Sequence, residues 1–187
     1  MTWQELESDC KQCMQCELGK TRTNLVFGVG NPQAEVLFVG EGPGEQEDLR
    51  GEPFVGRSGQ LLDKYLAAVD LDRRTNIYIA NMVKCRPPKN RDPKPEEQEL
   101  CLRWLTAQVG LMQPKVIVCL GRIAAQRIIS KDFKVTKEHG KFFERNGILR
   151  MGTFHPAALL RNPSQKPEAL EDFLALRDKL NELKQTR

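Results

Sequence analysis

A chain of 187 residues, 40% of them hydrophobic, has the size and content of one compact domain, which excludes a disordered polymer. No apolar run approaches the ~20 residues of a membrane helix, and the start, MTWQELESDC, has neither the basic head nor the apolar core of a secretory signal, so the cytoplasm is the expected compartment. A net charge of +4, from 29 basic and 25 acidic residues, is too mild to prove a nucleic-acid partner, so the placement of the charges must decide.

Thr2 and Glu5 read as a capping box opening a short helix with Trp3, Leu6 and Cys10 on one face. A loop-like stretch, CKQCMQCELGKTRTN, follows. EVLFVG (35–40) is short and wholly apolar, as expected of a strand buried on both faces. After the loop VGEGPGEQED comes a helix capped by Ser58, with Leu61, Leu62, Tyr65, Leu66 and Val69 at helical spacing. NIYIAN (76–81) is a second buried strand, followed by the basic loop VKCRPPKNRDPK. Pro95, Glu96 and Glu97 open a third helix packing Leu100, Trp104, Leu105 and Val109. KVIVCLG (115–121) and GILRMGTF (147–154) are the third and fourth strands, with a helix over RIAAQRIIS between them. Residues 167–184 form a last amphipathic helix on Leu170, Phe173, Leu174, Leu176, Leu180 and Leu183.

Strands alternating with helices predict an α/β fold: a parallel sheet covered on both sides, as one domain over 1–187 and a monomer. Ligands of such folds bind beyond the carboxyl ends of the strands. Three segments leave strands at that edge, GEGPG, NMVKCRPP and HPAALLR, and are expected to converge.

The glycines at 40, 42 and 44 do not have dinucleotide-loop spacing, and Pro43 has no N–H to give a pyrophosphate. Glu41, Glu45, Glu47 and Asp48 would repel a phosphate, and the GK[ST] of a P-loop is missing. The loop therefore suits something flat and uncharged, or something that becomes positive. A glycosidic bond being cleaved is both, because the departing base leaves oxocarbenium character on the sugar. A tight turn with acidic surface residues is the plainer alternative.

In the second loop Lys84, Arg86, Lys89, Arg91 and Lys94 stand against Asp92 alone, and its prolines rule out a helix face. A basic extended loop tracks a phosphate backbone, or is merely solvated. Six cysteines without a secretory signal point to metal ligands or buried small residues, not to disulfides. Cys10, Cys13 and Cys16 form C-x₂-C-x₂-C and permit three pairings, whereas Cys119 belongs to a buried strand.

Four stretches, VGEGPGEQED, GEPFVGRSGQLLD, NMVKCRPPKNRDPKPEE and FHPAALLRNP, resemble, in order from Cys13 to about Pro163, the uracil-DNA glycosylase superfamily and specifically its family 4, the iron–sulfur type. The resemblance implies a three-layer α/β/α sandwich on a four-stranded parallel sheet. It implies an enzyme of base excision repair that hydrolyses the N-glycosidic bond of deoxyuridine in DNA, releasing uracil and leaving an abasic site. The uracil pocket would comprise Gly40, Glu41, Gly42, Phe54, Asn81 and His155. Phe54 would stack on the extruded base; core packing is the bland alternative. The Asn81 amide would pair with uracil N3–H and O4, and His155 would donate to O2 as the base leaves. The segment after His155 resembles the family's minor-groove insertion, with Leu159, or Leu160 in its place, as the wedge. Arg161 and Arg86 would contact DNA.

The best-known superfamily members carry an aspartate where Gly42 stands, so the water-orienting group must lie elsewhere. Glu47 is preferred for that task and Glu41 for the base pocket. No tyrosine occupies position 44, so another group must exclude the thymine methyl. The resemblance also implies that Cys13, Cys16, Cys85 and Cys101 hold a [4Fe–4S] cluster, tying the N-terminal segment to both ends of the stretch 85–101, while Cys10 is a helix residue. No lysine stands where a Schiff base would form, so the expected glycosylase is monofunctional. His139 is read as a loop residue. The rival class is a non-enzymatic iron–sulfur or zinc protein that binds nucleic acid or passes electrons; it has no use for the acidic loop, Asn81 and His155 together.

Overall fold

A computed structural model describes residues 1–186. The chain runs α1 (Trp3–Lys11), α2 (Leu18–Thr21), β1 (Val29–Gly30), β2 (Val36–Gly40), α3 (Glu45–Arg50), α4 (Arg57–Ala68), β3 (Tyr78–Asn81), α5 (Pro95–Met112), β4 (Val116–Leu120), α6 (Arg122–Ile128), α7 (Val135–Glu138), β5 (Phe142–Arg145), β6 (Ile148–Thr153), α8 (Pro156–Arg161) and α9 (Lys166–Gln185). No helix among the described residues is long and apolar enough to cross a membrane.

The described residues form a six-stranded sheet in the order β1-β3-β2-β4-β6-β5. Its central four strands are parallel, as expected. The two flanking strands are antiparallel and correct the four-strand expectation. β1 has only two residues, too few to show a period. β5 belongs to a hairpin whose turn residues, Asn146 and Gly147, both have positive φ, 54° and 76°. Asn-Gly is the pair that a two-residue hairpin turn favours. The stretch 147–154 therefore begins in the turn, one residue ahead of β6. β5 ends in Glu144 and Arg145, charges that blunt an open edge.

β2 is buried throughout and feeds two cores by alternation. Val36 and Phe38 face α4, α8 and α9, packing with Leu62, Tyr65, Phe173 and Leu176. Leu37 and Val39 face α5 and α6, packing with Leu105, Met112 and Ala124. Burying each such side chain contributes roughly 1.5–3 kcal/mol. A third cluster joins Leu6 and Cys10 of α1 to Leu18, Phe27, Val83 and Trp104.

The helix starts largely follow the local signals. In α1, Thr2 Oγ1 accepts from the Glu5 N–H at 3.1 Å, and Glu5 Oε2 accepts from the Thr2 N–H at 2.7 Å. Pro95 opens α5. Ser58, however, is not a cap. Gly56 is the N-cap of α4, its carbonyl accepting from the Gln60 N–H at 3.0 Å, and Ser58 instead lines the cleft described below. Leu100 and Leu170, assigned to packing faces, are exposed. Leu100 borders a cysteine-lined cavity, not the sheet.

Candidate active site

From β2 the chain passes to β3 on one side and then crosses to β4 on the other. Such a switch leaves a crevice beyond the strands' carboxyl ends. A cleft of about 590 Å³ lies there. The three expected loops meet in it: Glu41–Gly44 after β2, Pro87 and Asn90 to Asp92 after β3, and His155 to Arg161 after β6. Gly121–Ile123 after β4 adds a fourth wall that the motifs did not indicate.

The tightest convergence is at Gly40. Gly40 and Asn81 are register partners at the ends of β2 and β3. A Cβ on Gly40 would stand 2.5 Å from Asn81 Oδ1 and 2.7 Å from two ring carbons of Phe54, so only glycine lets amide and ring approach the strand. The Phe54 and His155 ring centroids are 5.5 Å apart. Gly121, at φ +95°, carries no Cβ where one would lie 2.8 Å from His155 Cβ. Asn81, Phe54 and His155 thus share one neighbourhood. Phe54 is 6% exposed and also packs into the core, so the bland reading of it is true as well. Phe54 and Asn81 do not line the open cleft; both abut Gly40, whose neighbour Glu41 does.

Asn81 is 2% exposed, and its Oδ1 is buried without a hydrogen-bond partner in the protein. An orphaned acceptor at that depth is costly unless something donates to it. His155 caps α8: its Nδ1 accepts from the Ala157 N–H at 3.1 Å. A backbone N–H only donates, so Nδ1 is the bare nitrogen and Nε2 carries the proton. Burial, with help from Arg161, pulls the imidazole pKa down to about 4. His155 is therefore a neutral donor through Nε2 at pH 7.

Of the loop's four carboxylates only Glu41 and Glu47 reach the cleft. Asp48 is buried and accepts from the Thr23 and Asn24 N–H groups, at 2.9 and 3.2 Å. Burial, and then the charge and hydrogen bond of Asp92, push the Glu41 pKa up to about 7, against Arg122 and Arg161. Glu47 Oε1 accepts from the Gly44 N–H at 3.2 Å, while Oε2 is buried without a partner.

The DNA-contact expectations need correction. Leu159 is 1% exposed and packs into the core, so it is no wedge. Residues 156–161 form a helix, whose periodicity turns Leu159 inward and leaves Leu160 partly exposed. Arg161 is exposed at the cleft. Within the basic loop Lys84 is fully buried, donating to Gln108 Oε1 at 2.6 Å and the Asn81 carbonyl at 3.2 Å. Arg91 is held by Glu97 at 2.7 and 2.9 Å. Arg86 is partly buried and donates to Asn90 Oδ1 at 2.8 Å. Two of the five basic side chains thus serve the fold.

Cys13, Cys16, Cys85 and Cys101 line one cavity together with Trp104 and Arg22. Cys10 does not line it; it is buried among Leu6, Leu18 and Phe27 in the third cluster. Cys119 is buried in β4. The Lys84 N–H donates to Cys101 Sγ at 3.3 Å and Arg22 Nη1 to Cys85 Sγ at 3.4 Å.

A family model for the uracil DNA glycosylase superfamily matches residues 27–177. The chain belongs to the uracil-DNA glycosylase superfamily. Several relatives are of type 4: it is 46% identical over 177 residues to a type-4 uracil-DNA glycosylase of Archaeoglobus fulgidus, covering 90% of this chain and 88% of that one. With the type-4 enzyme of Thermotoga maritima it shares 47% over 158 residues, 83% of this chain and 82% of that one. A type-5 uracil-DNA glycosylase of Thermus thermophilus stands further off, at 36% over 119 residues, 56% and 54% of the two chains.

Two departures from the superfamily's better-known motif now have a physical account. A Cβ on Gly42 would lie 2.7 Å from Val83 Cγ2, so Val83 fills the space an aspartate would need. A Cβ on Gly44 would lie 2.9 Å from Glu47 Oε1, so the Glu47 carboxyl stands where a tyrosine would begin. His139 is more than a loop residue. It follows α7, sets Nδ1 2.8 Å from Asp172, and shares that carboxylate with the Thr153 hydroxyl, which donates at 2.6 Å. No local pattern announces it, because Asp172 lies 33 residues away.

Proposed function

We propose that the protein is a monofunctional uracil-DNA glycosylase of base excision repair, hydrolysing the C1′–N1 bond of deoxyuridine in DNA. The observation that carries this reading is the convergence of Asn81, Phe54 and His155 around Gly40, at the end of a cleft with an acidic wall. Uracil stacks on Phe54 and gives its N3–H to the orphaned Asn81 Oδ1, while the amide N–H meets O4. Cytosine reverses that pattern and leaves buried polar groups unpaired, a penalty of roughly 1–3 kcal/mol each. As the C1′–N1 bond breaks, its electron pair passes to the base, and the negative charge appearing on O2 receives the Nε2–H of neutral His155. The sugar turns cationic beside Glu41 and Glu47. Glu47, with one oxygen tied to the Gly44 N–H and the other without a protein partner, orients the water that adds to C1′ and takes the proton it sheds, while the released uracil anion is protonated from solvent. Leu160 fills the gap left by the extruded base, and Arg161 and Arg86 meet phosphates.

Cys13, Cys16, Cys85 and Cys101 are the proposed ligands of a [4Fe–4S] cluster. Four thiols share one cavity, yet among the described residues no three His, Cys, Asp or Glu side chains group as a single-ion site. Four thiolates suit such a cluster, and the wide spacing of Cys85 and Cys101 departs from the paired C-x₂-C knuckles usual in a zinc site. The N–H donors to Cys85 and Cys101, and the buried, unpartnered indole N–H of Trp104 beside the cavity, suit sulfur acceptors. When bound, the cluster cross-links the N-terminal segment to both ends of 85–101. Cys85→Ala is expected to give an insoluble protein or one inactive on uracil. A variant without iron that keeps full activity would refute the structural role.

The deciding test is incubation with a uracil-containing oligonucleotide followed by heating in alkali. Strand scission at uracil supports the enzyme. Intact strands from a redox-active, iron-loaded protein would support the non-enzymatic iron–sulfur alternative.

A further inference from the structure

Phe54 has φ 53°, a backbone region that bulky residues avoid and that persists only where surroundings impose it. The imposing group is Arg73, from the α4–β3 connection, which the cleft and the motifs leave unassigned. Its guanidinium donates through Nη1 to the Pro53 carbonyl at 2.8 Å and through Nη2 to the Phe54 carbonyl at 2.7 Å. Nε is in turn held by Asp63 Oδ1 at 2.9 Å, and Glu52 Oε1 lies 3.4 Å from Nη1. On another side, a Cβ on Gly59 of α4 would come within 1.8 Å of the same Phe54 oxygen. The Phe54 carbonyl is thus enclosed between a buried guanidinium and a helix that tolerates no side chain. The ring's far edge rests against Gly40. Arginine's planar fork suits two carbonyls and a carboxylate at once; an ammonium has no such geometry.

We propose that Arg73 is a positioning residue for base recognition, locking the left-handed Phe54 backbone so that its ring is already set to receive uracil. This rests on the reading of Phe54 as the stacking surface. A ring released from its setting forfeits part of the stacking that would hold the base.

Four chains decide it: wild type, Phe54→Ala, Arg73→Gln and the double variant, each measured for inhibition by free uracil and for binding to a duplex with a tetrahydrofuran abasic site. The abasic duplex offers Phe54 no base and reports on everything else. Arg73→Gln is expected to weaken uracil inhibition about 5- to 10-fold, to bind the abasic duplex within about twofold of wild type, and to add nothing to Phe54→Ala. Arg73→Lys is not expected to rescue. Unchanged uracil inhibition in Arg73→Gln, or a loss fully additive with Phe54→Ala, overturns the proposal while leaving the stacking reading intact. If Phe54→Ala itself leaves inhibition unchanged, the stacking reading falls and takes the proposal with it. Should Arg73→Gln fail to fold, Asp63→Asn, whose carboxyl is half exposed, replaces it. The same pattern at about twofold supports the proposal, and no change in uracil inhibition overturns it.

Discussion

The Ala157 N–H decides which nitrogen of His155 carries its proton, and burial decides that there is only one. In the proposed mechanism this neutral imidazole donor meets charge that exists only as the base leaves, so His155→Ala is expected to lower single-turnover cleavage about 10²–10³-fold with little change in DNA affinity. The same burial writes a pH dependence into stability. With a folded pKa of about 4 against an ordinary value near 6.5, the unfolded chain binds more protons between those limits, so stability falls as pH drops through that window. Urea melts of His155→Gln should lack that component. Glu41 has the opposite sense: its folded pKa of about 7 lies above the ordinary 4.5, so its contribution to stability is present below 4.5 and lost as pH rises through 7. If the ionised carboxylate is what favours the cationic sugar, cleavage should rise with pH through about 7, and Glu41→Gln should flatten that limb. Asp92→Asn removes a like charge and should move the limb to lower pH. That Asn81, Phe54 and His155 stand together was legible at this scale, because their motifs follow strands that end at one edge of the sheet. Asp92, Arg73 and His139 were not, since each acts through a partner distant in sequence.

At the scale of elements, residues 156–161 show how periodicity divides two neighbouring leucines. Because the segment is helical, Leu159→Ala opens the core and should cost about 2–5 kcal/mol in denaturant melts. Leu160→Ala should leave stability within about 0.5 kcal/mol of wild type while slowing cleavage of uracil in duplex more than in single strands. If the two leucines exchange effects, the inward and outward assignments are wrong. The stretch 83–97 is likewise divided. Lys84 ties the Asn81 carbonyl to Gln108 and, through its own N–H, to Cys101, so the proposed base-reading residue and the cysteine cavity are joined by a single residue. Glu97 collects Arg91 and the Lys94 N–H, fixing the start of α5. Composition showed a basic loop here; it did not show that Lys84 faces inward or that Arg91 is tied to Glu97, because such placement depends on partners no local pattern encodes.

Across the whole molecule the mild +4 charge says little by itself; folding gathers Arg91, Arg122 and Arg161 at the cleft together with Glu41, Glu47 and Asp92. Arg122 and Arg161 border the cleft, and Arg122 also donates to Asp92 at 3.1 Å. DNA affinity should therefore fall linearly with log salt, and Arg161→Ala should reduce the slope by about 1 irrespective of sequence, in titrations of a duplex without uracil. An unchanged slope would remove Arg161 from the phosphate contacts.

The amino-acid sequence by itself determined the parallel four-stranded core, its helical cover and the three loops that meet, because hydrophobic period and turn chemistry are local and each β-to-loop junction carries its own signal. It also held the Asn-Gly hairpin, in a pair of residues overlooked beside a stronger strand. Only the tertiary structure decided which leucine faces out, which lysine is buried, which tautomer His155 adopts and what holds Phe54 in its left-handed turn. Those outcomes depend on desolvation and on hydrogen bonds between residues far apart in the chain, and neither quantity exists until the sheet has brought them together.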